Sequence, residues 1–352
     1  MTSGAPSRRR QRGMTLVELM VAAMIGLFVV AVMGTVYIGS KGTFLAQDAM
    51  ARLQENGRFA MDTIGADLRM AGFRGCMGYG RNTAVVNTLG SATSSLYDFG
   101  IAIEASRNTG AAWSPALDSA IAGLSPAPSA SGIVLTVRRP IGQGWALTSE
   151  MGDGNDPLTV SAPAPFGTGD LLMVTDCTGA AVLQVSNADP AGTGQLEHVP
   201  GGTLAPGMTT ASLGRAFLQD ALVYRLETVT YYLAPSARPG KAGIMSLWAF
   251  VNPSYDGTPQ PSELVTGVEQ MDVSLGVDTD GDQNADTYLA ADAVTNWANV
   301  VSARIELLFA SAQDNVTTAP QPYVFGGVGR TPSDRKLRTV MTSVSSLRNS
   351  LP

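Results

Sequence analysis

The chain is poor in the side chains that most catalytic and metal sites use. Charged residues make up 15% of its 352 residues, and it contains one histidine and two cysteines. These three residues make a poor zinc site, because a structural zinc ion needs four ligands. No GxSxG, Walker-type or HExxH motif occurs in the sequence. We therefore expect that the protein is not an enzyme, and we interpret the histidine, His198, as a surface or packing residue.

Acidic side chains outnumber basic ones, which argues against a nucleic-acid partner. The formal net charge is −6, and residues 1–13 carry four arginines and no acid, so the rest of the chain sums to −6 − 4 = −10. No basic face is evident that could neutralise phosphates. The 39 glycines and 20 prolines favour a loop-rich β domain over a helical bundle.

The N-terminus joins a short basic segment to a long apolar run. Four arginines precede Gly13, and no charged residue occurs from Leu19 to Ser40. That run matches the ~20 apolar residues that a helix needs to cross a bilayer. By the positive-inside rule the arginines stay in the cytoplasm, so the rest of the chain lies outside the inner membrane.

Glu18 interrupts the start of the apolar run and needs a partner there. A carboxylate at mid-bilayer costs roughly 2.5–3.5 kcal/mol or more, and less near an edge. Gly13 comes before the apolar run, so cleavage after it would keep the run and create a new amine on Met14. That amine, on the same chain or on a parallel neighbour, would offset the charge. The alternative is a plain signal anchor with a glutamate near the headgroups.

The segment Arg12-Gly13-Met14-Thr15-Leu16-Val17-Glu18 and the run after it resemble the class III leader of type IV prepilins and type II secretion pseudopilins. The resemblance implies that a prepilin peptidase cuts between Gly13 and Met14 and methylates the new amine. It also implies that Glu18 pairs with the N-terminus of an adjacent subunit during assembly.

The helical pattern continues well past the apolar run. Ala49, Met50, Leu53, Gly57, Ala60, Ile64, Leu68 and Ala71 recur mostly at three- and four-residue steps, as on one face of a helix. Gly72 and Gly75 supply a stop. We predict a leader over residues 1–13 and a long helix over 14–75, transmembrane over 14–40 and amphipathic over 41–75. A β-rich periplasmic or extracellular domain follows over 76–352.

Short apolar segments after Cys76, separated by Gly/Pro/Ser-rich loops, predict strands. They are Ile133–Arg139, Leu171–Asp176, Ala181–Ser186, Leu222–Ala234, Ile244–Val251 and the alternating segment 301–307. The tail, 336–351, has features of both a helix and a strand, and we favour a strand. The predicted fold class is therefore α+β and pilin-like: a long N-terminal transmembrane helix packed on an antiparallel β-sheet domain.

Several further segments resemble the PilW family of minor type IV pilins, and they occur in order along the chain. They are Arg52–Ala60, Asp67–Cys76, Val174–Cys177, Gly267–Glu269, Gly276–Asp282, Trp297 with Val300–Arg304, and Leu347–Asn349.

The PilW resemblance implies a minor pilin that helps prime type IV pilus assembly and enters the pilus in or near its tip. The implied partners are the prepilin peptidase, other minor pilins, the major pilin and a large tip adhesin. The implied location is the inner membrane, with one span and a periplasmic C-terminal domain, and then the pilus at the cell surface. The alternatives are a type II secretion minor pseudopilin and a calcium-dependent adhesive or sensing module.

The two cysteines, Cys76 and Cys177, most simply form one disulfide in an oxidising periplasm. Closing a loop of roughly 100 residues would contribute ~4–5 kcal/mol in the chain-entropy model. The bridge would tie the region after the long helix to the β domain. The alternative is two free thiols or a metal pair.

One acidic loop, DTDGDQNAD, suggests a divalent cation. Asp278, Asp280, Asp282 and Asp286 match the first, third, fifth and ninth positions of an EF-hand-type loop. Gln283 replaces the glycine of that loop, and its twelfth position is Leu289, so a residue such as Asp292 would have to complete the site. The alternative is a solvated acidic turn held by Asx hydrogen bonds. We expect no required cofactor, with Ca2+ as the candidate ligand of this loop.

Overall fold

The first helix is the longest element of the protein. A computed structural model describes residues 13–77, 85–201, 204–255 and 257–347. Helix α1 spans Leu16–Met70, 55 residues, which is about 82 Å at ~1.5 Å per residue. Gly72 follows it with φ +64°, a conformation that favours glycine and turns the chain away from the helix axis. The predicted long helix is confirmed.

In the part of the chain that the structure describes, seventeen strands and two short α-helices follow α1. The helices are α2 (Ser119–Ala122) and α3 (Pro190–Thr193). The strands are β1 (Val85–Asn87), β2 (Ile103–Asn108), β3 (Trp113–Ser114), β4 (Ile133–Ala146), β5 (Leu158–Thr159), β6 (Leu171–Asp176), β7 (Gly179–Gln184), β8 (Gln195–Leu196), β9 (Leu222–Pro235), β10 (Met245–Asn252), β11 (Ser262–Thr266), β12 (Val268–Val277), β13 (Thr287–Ala290), β14 (Val300–Ala310), β15 (Tyr323–Phe325), β16 (Val328–Arg330) and β17 (Arg338–Ser346).

The larger sheet divides at its central strand. Its order is β1-β7-β6-β9-β4-β2-β3. On the side of β9 opposite β4, β6 pairs with the segment Leu222–Arg225, and β10 pairs with Thr228–Pro235. β11 then pairs with β10. Two branches therefore share one central strand, and all pairings except the parallel β1–β7 pair are antiparallel.

The smaller sheet has the order β13-β12-β14-β17 and is antiparallel throughout. β17 pairs with β14 over its whole length, which confirms a strand for the part of the tail from Arg338 to Ser346. Residues 348–352 lie outside the described residues. The alternating segment 301–307 lies within β14. The other predicted strands are also confirmed, with shifts of one or two residues at β7 and β10 and a longer β4.

The buried face of α1 packs where the two sheets meet. Leu53, Ile64 and Leu68 share one core with Leu135 of β4 and Ile305 of β14. The predicted stripe is correct from Leu53 to Ala71, whereas Met50 is 37% exposed and lies off the buried face. A second core cluster, around β6 and β7, includes Leu172, Leu183 and Phe217.

Candidate functional site

Helix α1 begins with an exposed capping box, formed by Thr15 and Glu18. Gly13 and Met14 are exposed, and α1 begins two residues after Met14. The backbone N–H of Thr15 donates to Glu18 Oε2 at 3.0 Å, and the Glu18 N–H donates to Thr15 Oγ1 at 3.2 Å. This reciprocal pair satisfies two of the free N–H groups at the helix start. The four arginines of the predicted leader lie outside the described residues.

The first half of α1 is not packed against any other described segment of the chain. An 18-residue window of the helix has a mean hydropathy of 2.6, and none of it is buried. Leu27 and Phe28, for example, are 72% and 70% exposed. An apolar surface of this length needs lipid or other helices around it. Together with the basic segment before Gly13, it makes a membrane-anchored protein with one N-terminal span.

A buried polar cluster, which we call the latch (Asp67, Arg139, Glu227 and Tyr231), fixes the second half of α1 to the larger sheet. The Tyr231 hydroxyl donates to Asp67 Oδ2 at 2.6 Å. Arg139 Nε lies 3.0 Å from Asp67 Oδ1, and Arg139 Nη2 lies 2.5 Å from Glu227 Oε1. Burial raises the pKa of Asp67 above its ordinary value, although Arg139 and Tyr231 act in the opposite direction. The latch holds the helix in one register on β9 and β4.

The latch cannot be predicted from local sequence pattern, although one residue indicates it. Asp67 is a carboxylate between Ile64 and Leu68, on the otherwise apolar face of the helix. A charge at such a position needs a buried partner. Its partner, Arg139, comes from a strand more than 70 residues away (139 − 67 = 72), and no local pattern connects the two positions.

The predicted disulfide is present. Cys76 and Cys177 are bonded, with their Cα atoms 4.8 Å apart and a sequence separation of 101. These are the two cysteines of the chain, and neither is free, so the alternative of free thiols or a metal pair is wrong. The bridge joins the segment after α1 to the turn between β6 and β7. Beside it, the Thr175 hydroxyl donates to the Arg74 carbonyl oxygen at 2.7 Å.

Three of the four candidate calcium ligands lie together in the loop between β12 and β13. One carboxylate oxygen from each of Asp278, Asp280 and Asp286 lies within 4.8 Å of the others. Asp282 is outside this group, and its Oδ1 instead accepts the Asn284 N–H at 2.8 Å. Asp292 is also outside it, 3.5 Å from Arg107 Nε. Asp282, which the EF-hand spacing predicted as a ligand, therefore lies outside the group of three. The same is true of Asp292, which was expected to complete the site.

The same loop is closed by its own hydrogen bonds. Asp278 accepts the Gln283 N–H at 3.1 Å, and Asp286 Oδ2 accepts the N–H and hydroxyl of Thr279 at 2.7 and 2.6 Å. The Thr279 bonds lower the pKa of Asp286. Gln283, at the position of the EF-hand glycine, has φ +68°. This is the geometry of an Asx-type turn, which uses carboxylates as backbone caps.

His198 is a packing residue. It is 2% exposed, and its Nε2 lies 2.9 Å from the carbonyl oxygen of Asp156. Its hydrogen-bond partner in the described part of the chain is this backbone carbonyl and not a nucleophilic side chain.

Two protein-family models match the chain, one over the N-terminal anchor and one over the β domain. A family model described as the prokaryotic N-terminal methylation motif matches residues 8–34, so this segment is similar to the N-terminus of prepilin-like proteins. A second model, the type IV pilus-assembly protein W (PilW), matches residues 230–349, from β9 to beyond β17. No curated protein and no solved structure matches the chain. The two family matches support a PilW-like type IV pilin.

Proposed function

We propose that this protein is a minor pilin that helps prime type IV pilus assembly and is incorporated in or near the pilus tip. The PilW match over the second half of the β domain and the methylation motif over the anchor support this role. In this proposal a prepilin peptidase cuts after Gly13 and methylates Met14. Before assembly the chain is anchored in the inner membrane with its β domain in the periplasm. It then joins other minor pilins and the major pilin. A large tip adhesin is a candidate neighbour.

The observation that carries the proposal is the two-part helix. Residues Leu16–Met70 form one helix whose first half is bare and whose second half is fixed to the sheets by the latch. Such a helix can exchange lipid for neighbouring helices of the same kind, because the same apolar surface suits both. The domain then moves with the helix as one body.

Glu18 has a defined part in this exchange. In the isolated chain its carboxylate accepts hydrogen bonds from the N–H and hydroxyl of Thr15. A methylated amine of a neighbouring subunit would add a positive charge to this site, and its Coulomb attraction to the carboxylate in a low-dielectric environment is a contribution that the uncharged donors of Thr15 lack. Pairing with the neighbour therefore favours the assembled state.

The test is Glu18→Ala, with Glu55→Ala as the matched control. Glu55 is an exposed glutamate on the same helix, outside the apolar run. Surface piliation and the amount of the protein in sheared pili are measured in a strain that lacks the native copy. We expect loss of both with Glu18→Ala and wild-type levels with Glu55→Ala.

The same strains distinguish a pilus role from a secretion role. Loss of piliation with normal type II secretion supports the proposal. Normal piliation with Glu18→Ala, or a secretion defect with normal pili in the deletion strain, would contradict it. Mass spectrometry of the mature protein checks the processing step, with Met14 as the expected methylated first residue.

A second candidate function is calcium binding by the loop between β12 and β13. We propose it because three carboxylates, one of them on the buried residue Asp278, lie within 4.8 Å of one another. Calcium takes six to eight oxygen ligands, so backbone carbonyls and water would complete the shell. An ion there would stiffen the hairpin on the outer edge of the smaller sheet.

A further inference from the structure

The end of the β domain nearest the membrane has a groove against the helix. The groove has a volume of about 500 Å³, and its lining includes Leu45 and Arg52 of α1. Arg238 and Lys241, from the loop between β9 and β10, line it on the domain side. This loop, over residues 236–244, therefore lies beside the part of the helix that follows the apolar run.

One end of the groove is close to the expected membrane surface. The apolar run ends at Ser40, and Leu45 lies five residues further, which is ~7.5 Å at ~1.5 Å per residue. The headgroup layer beyond the hydrocarbon core is roughly 5–8 Å thick on each side. Lys41 is the first charged residue after the run, so its ammonium group lies at the start of that layer. The 236–244 loop lines the same groove as Leu45, and a lysine side chain is long enough to extend from such a loop towards the headgroups.

At this end of the β domain two arginines form ion pairs, whereas two lysines have none among the described residues. Arg52 pairs with Asp48 at 2.9 Å, and Arg238 pairs with Glu263 at 3.5 Å. Among the described residues no ion pair is found for Lys41 or Lys241, and Glu55 is the further acid of the groove lining.

The lysines are concentrated at this end, against the trend of the whole chain. The chain has three lysines, and two of them are Lys41 and Lys241. After removal of residues 1–13 the side chains sum to −10. An acidic domain of this kind is repelled by an anionic membrane unless its near end is basic. Arg238, which also donates to the carbonyl oxygens of Glu263 and Leu264, holds the loop in place.

We propose that Lys41 and Lys241 bind anionic lipid headgroups on the periplasmic surface of the membrane that α1 spans. The lipid phosphates bridge the helix and the 236–244 loop across the mouth of the groove. The contact limits how far the domain can tilt away from the bilayer surface, which a single transmembrane helix leaves unrestricted. The contact is lost when the subunit leaves the membrane.

The test uses the full-length protein in nanodiscs of phosphatidylcholine, with and without phosphatidylglycerol. Amide hydrogen exchange is measured for the 236–244 loop. We expect exchange about fivefold slower in the anionic discs, the factor that corresponds to one lysine near an anionic surface. High salt should remove the difference, because it screens exposed charges.

Three variants separate lipid binding from other causes. Lys241→Glu should remove the slowing, and Lys241→Arg should keep it. Arg69→Glu makes the same change of charge on an exposed helix residue that lies 24 residues beyond Leu45, ~36 Å along the axis, and should keep it too. Equal exchange in the two kinds of disc, or slowing that survives Lys241→Glu, would overturn the proposal. So would equal slowing by inorganic phosphate added to phosphatidylcholine discs, or slowing that appears only after another pilin subunit is added.

Discussion

The Tyr231 hydroxyl donates a hydrogen bond of 2.6 Å to the Asp67 carboxylate, and this bond joins the centre of β9 to the last turn of the long helix. Arg139 contacts the other carboxylate oxygen at 3.0 Å. Burial raises the pKa of Asp67 and also raises the pKa of Tyr231. The helix is therefore attached to the domain by a polar contact that has little access to water.

Asp67 should make the stability of the protein depend on pH. Its pKa is higher in the folded state than in the unfolded state, so its contribution is complete below the unfolded pKa of about 3.9 and is lost as the pH rises through the raised folded pKa. We expect the advantage in melting temperature of the wild type over Asp67→Asn to shrink as the pH rises from about 4 towards neutrality. Thermal melts of the full-length protein in detergent measure it. Asp62→Asn, an exposed acid on the same helix, is the control, and a constant difference between wild type and Asp67→Asn would contradict the prediction.

Gly57 lets the helix approach β17 closely. A Cβ atom at this position would lie 2.1 Å from Met341 Sδ and 3.4 Å from Phe309 Cε2. Gly57→Leu should therefore cost about 1–3 kcal/mol, the usual range for overpacking a core. Chemical denaturation measures this loss. The double variant with Met341→Ala should recover part of it, because the thioether is then absent.

Gly65→Ala is the matched control for that experiment. Its added Cβ would meet the end of the Arg69 side chain at 3.3 Å, and no backbone atom of another described segment is within 4 Å. Since alanine favours a helix over glycine by roughly 0.5–1 kcal/mol, this variant should be neutral or more stable. Equal losses for Gly57→Leu and Gly65→Ala would show that the contact with Met341 is not what matters.

Reduction of the disulfide should destabilise the domain strongly. The bridge closes a segment of 101 residues, which corresponds to about 4–5 kcal/mol in the chain-entropy model. We expect the double variant Cys76→Ser with Cys177→Ser to lose a similar amount in denaturant titrations without a reducing agent. Adding the reducing agent should bring the wild type to the same midpoint and leave the double variant unchanged. A wild type that keeps its midpoint after complete reduction would contradict the entropic role.

The acidic loop allows aspartates inside the group of three to be compared with one outside it. If calcium binds there, Asp278→Asn and Asp280→Asn should weaken binding, because both carboxylates belong to the group of three. Asp282→Asn removes the same charge from the same loop, but at a residue outside that group. It should leave the calcium affinity within about twofold of the wild type, because a charge that acts only at a distance in water is screened. Calorimetry of the full-length protein with calcium measures this. No heat with the wild type, or equal weakening by Asp278→Asn and Asp282→Asn, would reject the site.

Local pattern was enough to predict some elements of this fold. The spacing of Leu53, Ala60, Ile64 and Leu68 predicted the buried helix face, because a helix repeats every 3.6 residues whatever it packs against. The alternation within 301–307 predicted a strand in the same way. The disulfide followed from the small number of cysteines and an oxidising compartment.

Other features depend on partners that are distant in the sequence. The apolar segment Leu222–Ala234 predicts a strand, but its division between β6 and β10 depends on neighbours that its own residues do not encode. The register that brings Arg139 to Asp67 is likewise set by the whole sheet. In the acidic loop, equal spacing made Asp282 look equivalent to Asp280, whereas the turn at Gln283 points them to different partners.

The covalent bond between Cys76 and Cys177 also decides how the subunit carries a mechanical load. Tension that enters along α1 passes through the bridge to the turn before β7 and bypasses the chain between the two cysteines, from β1 to β6. Stretching can therefore lengthen only the chain outside this loop, before Cys76 and beyond Cys177. In a fibre that pulls against an attached surface, the bridge would limit how far one subunit can extend, because the segment from β1 to β6 stays closed.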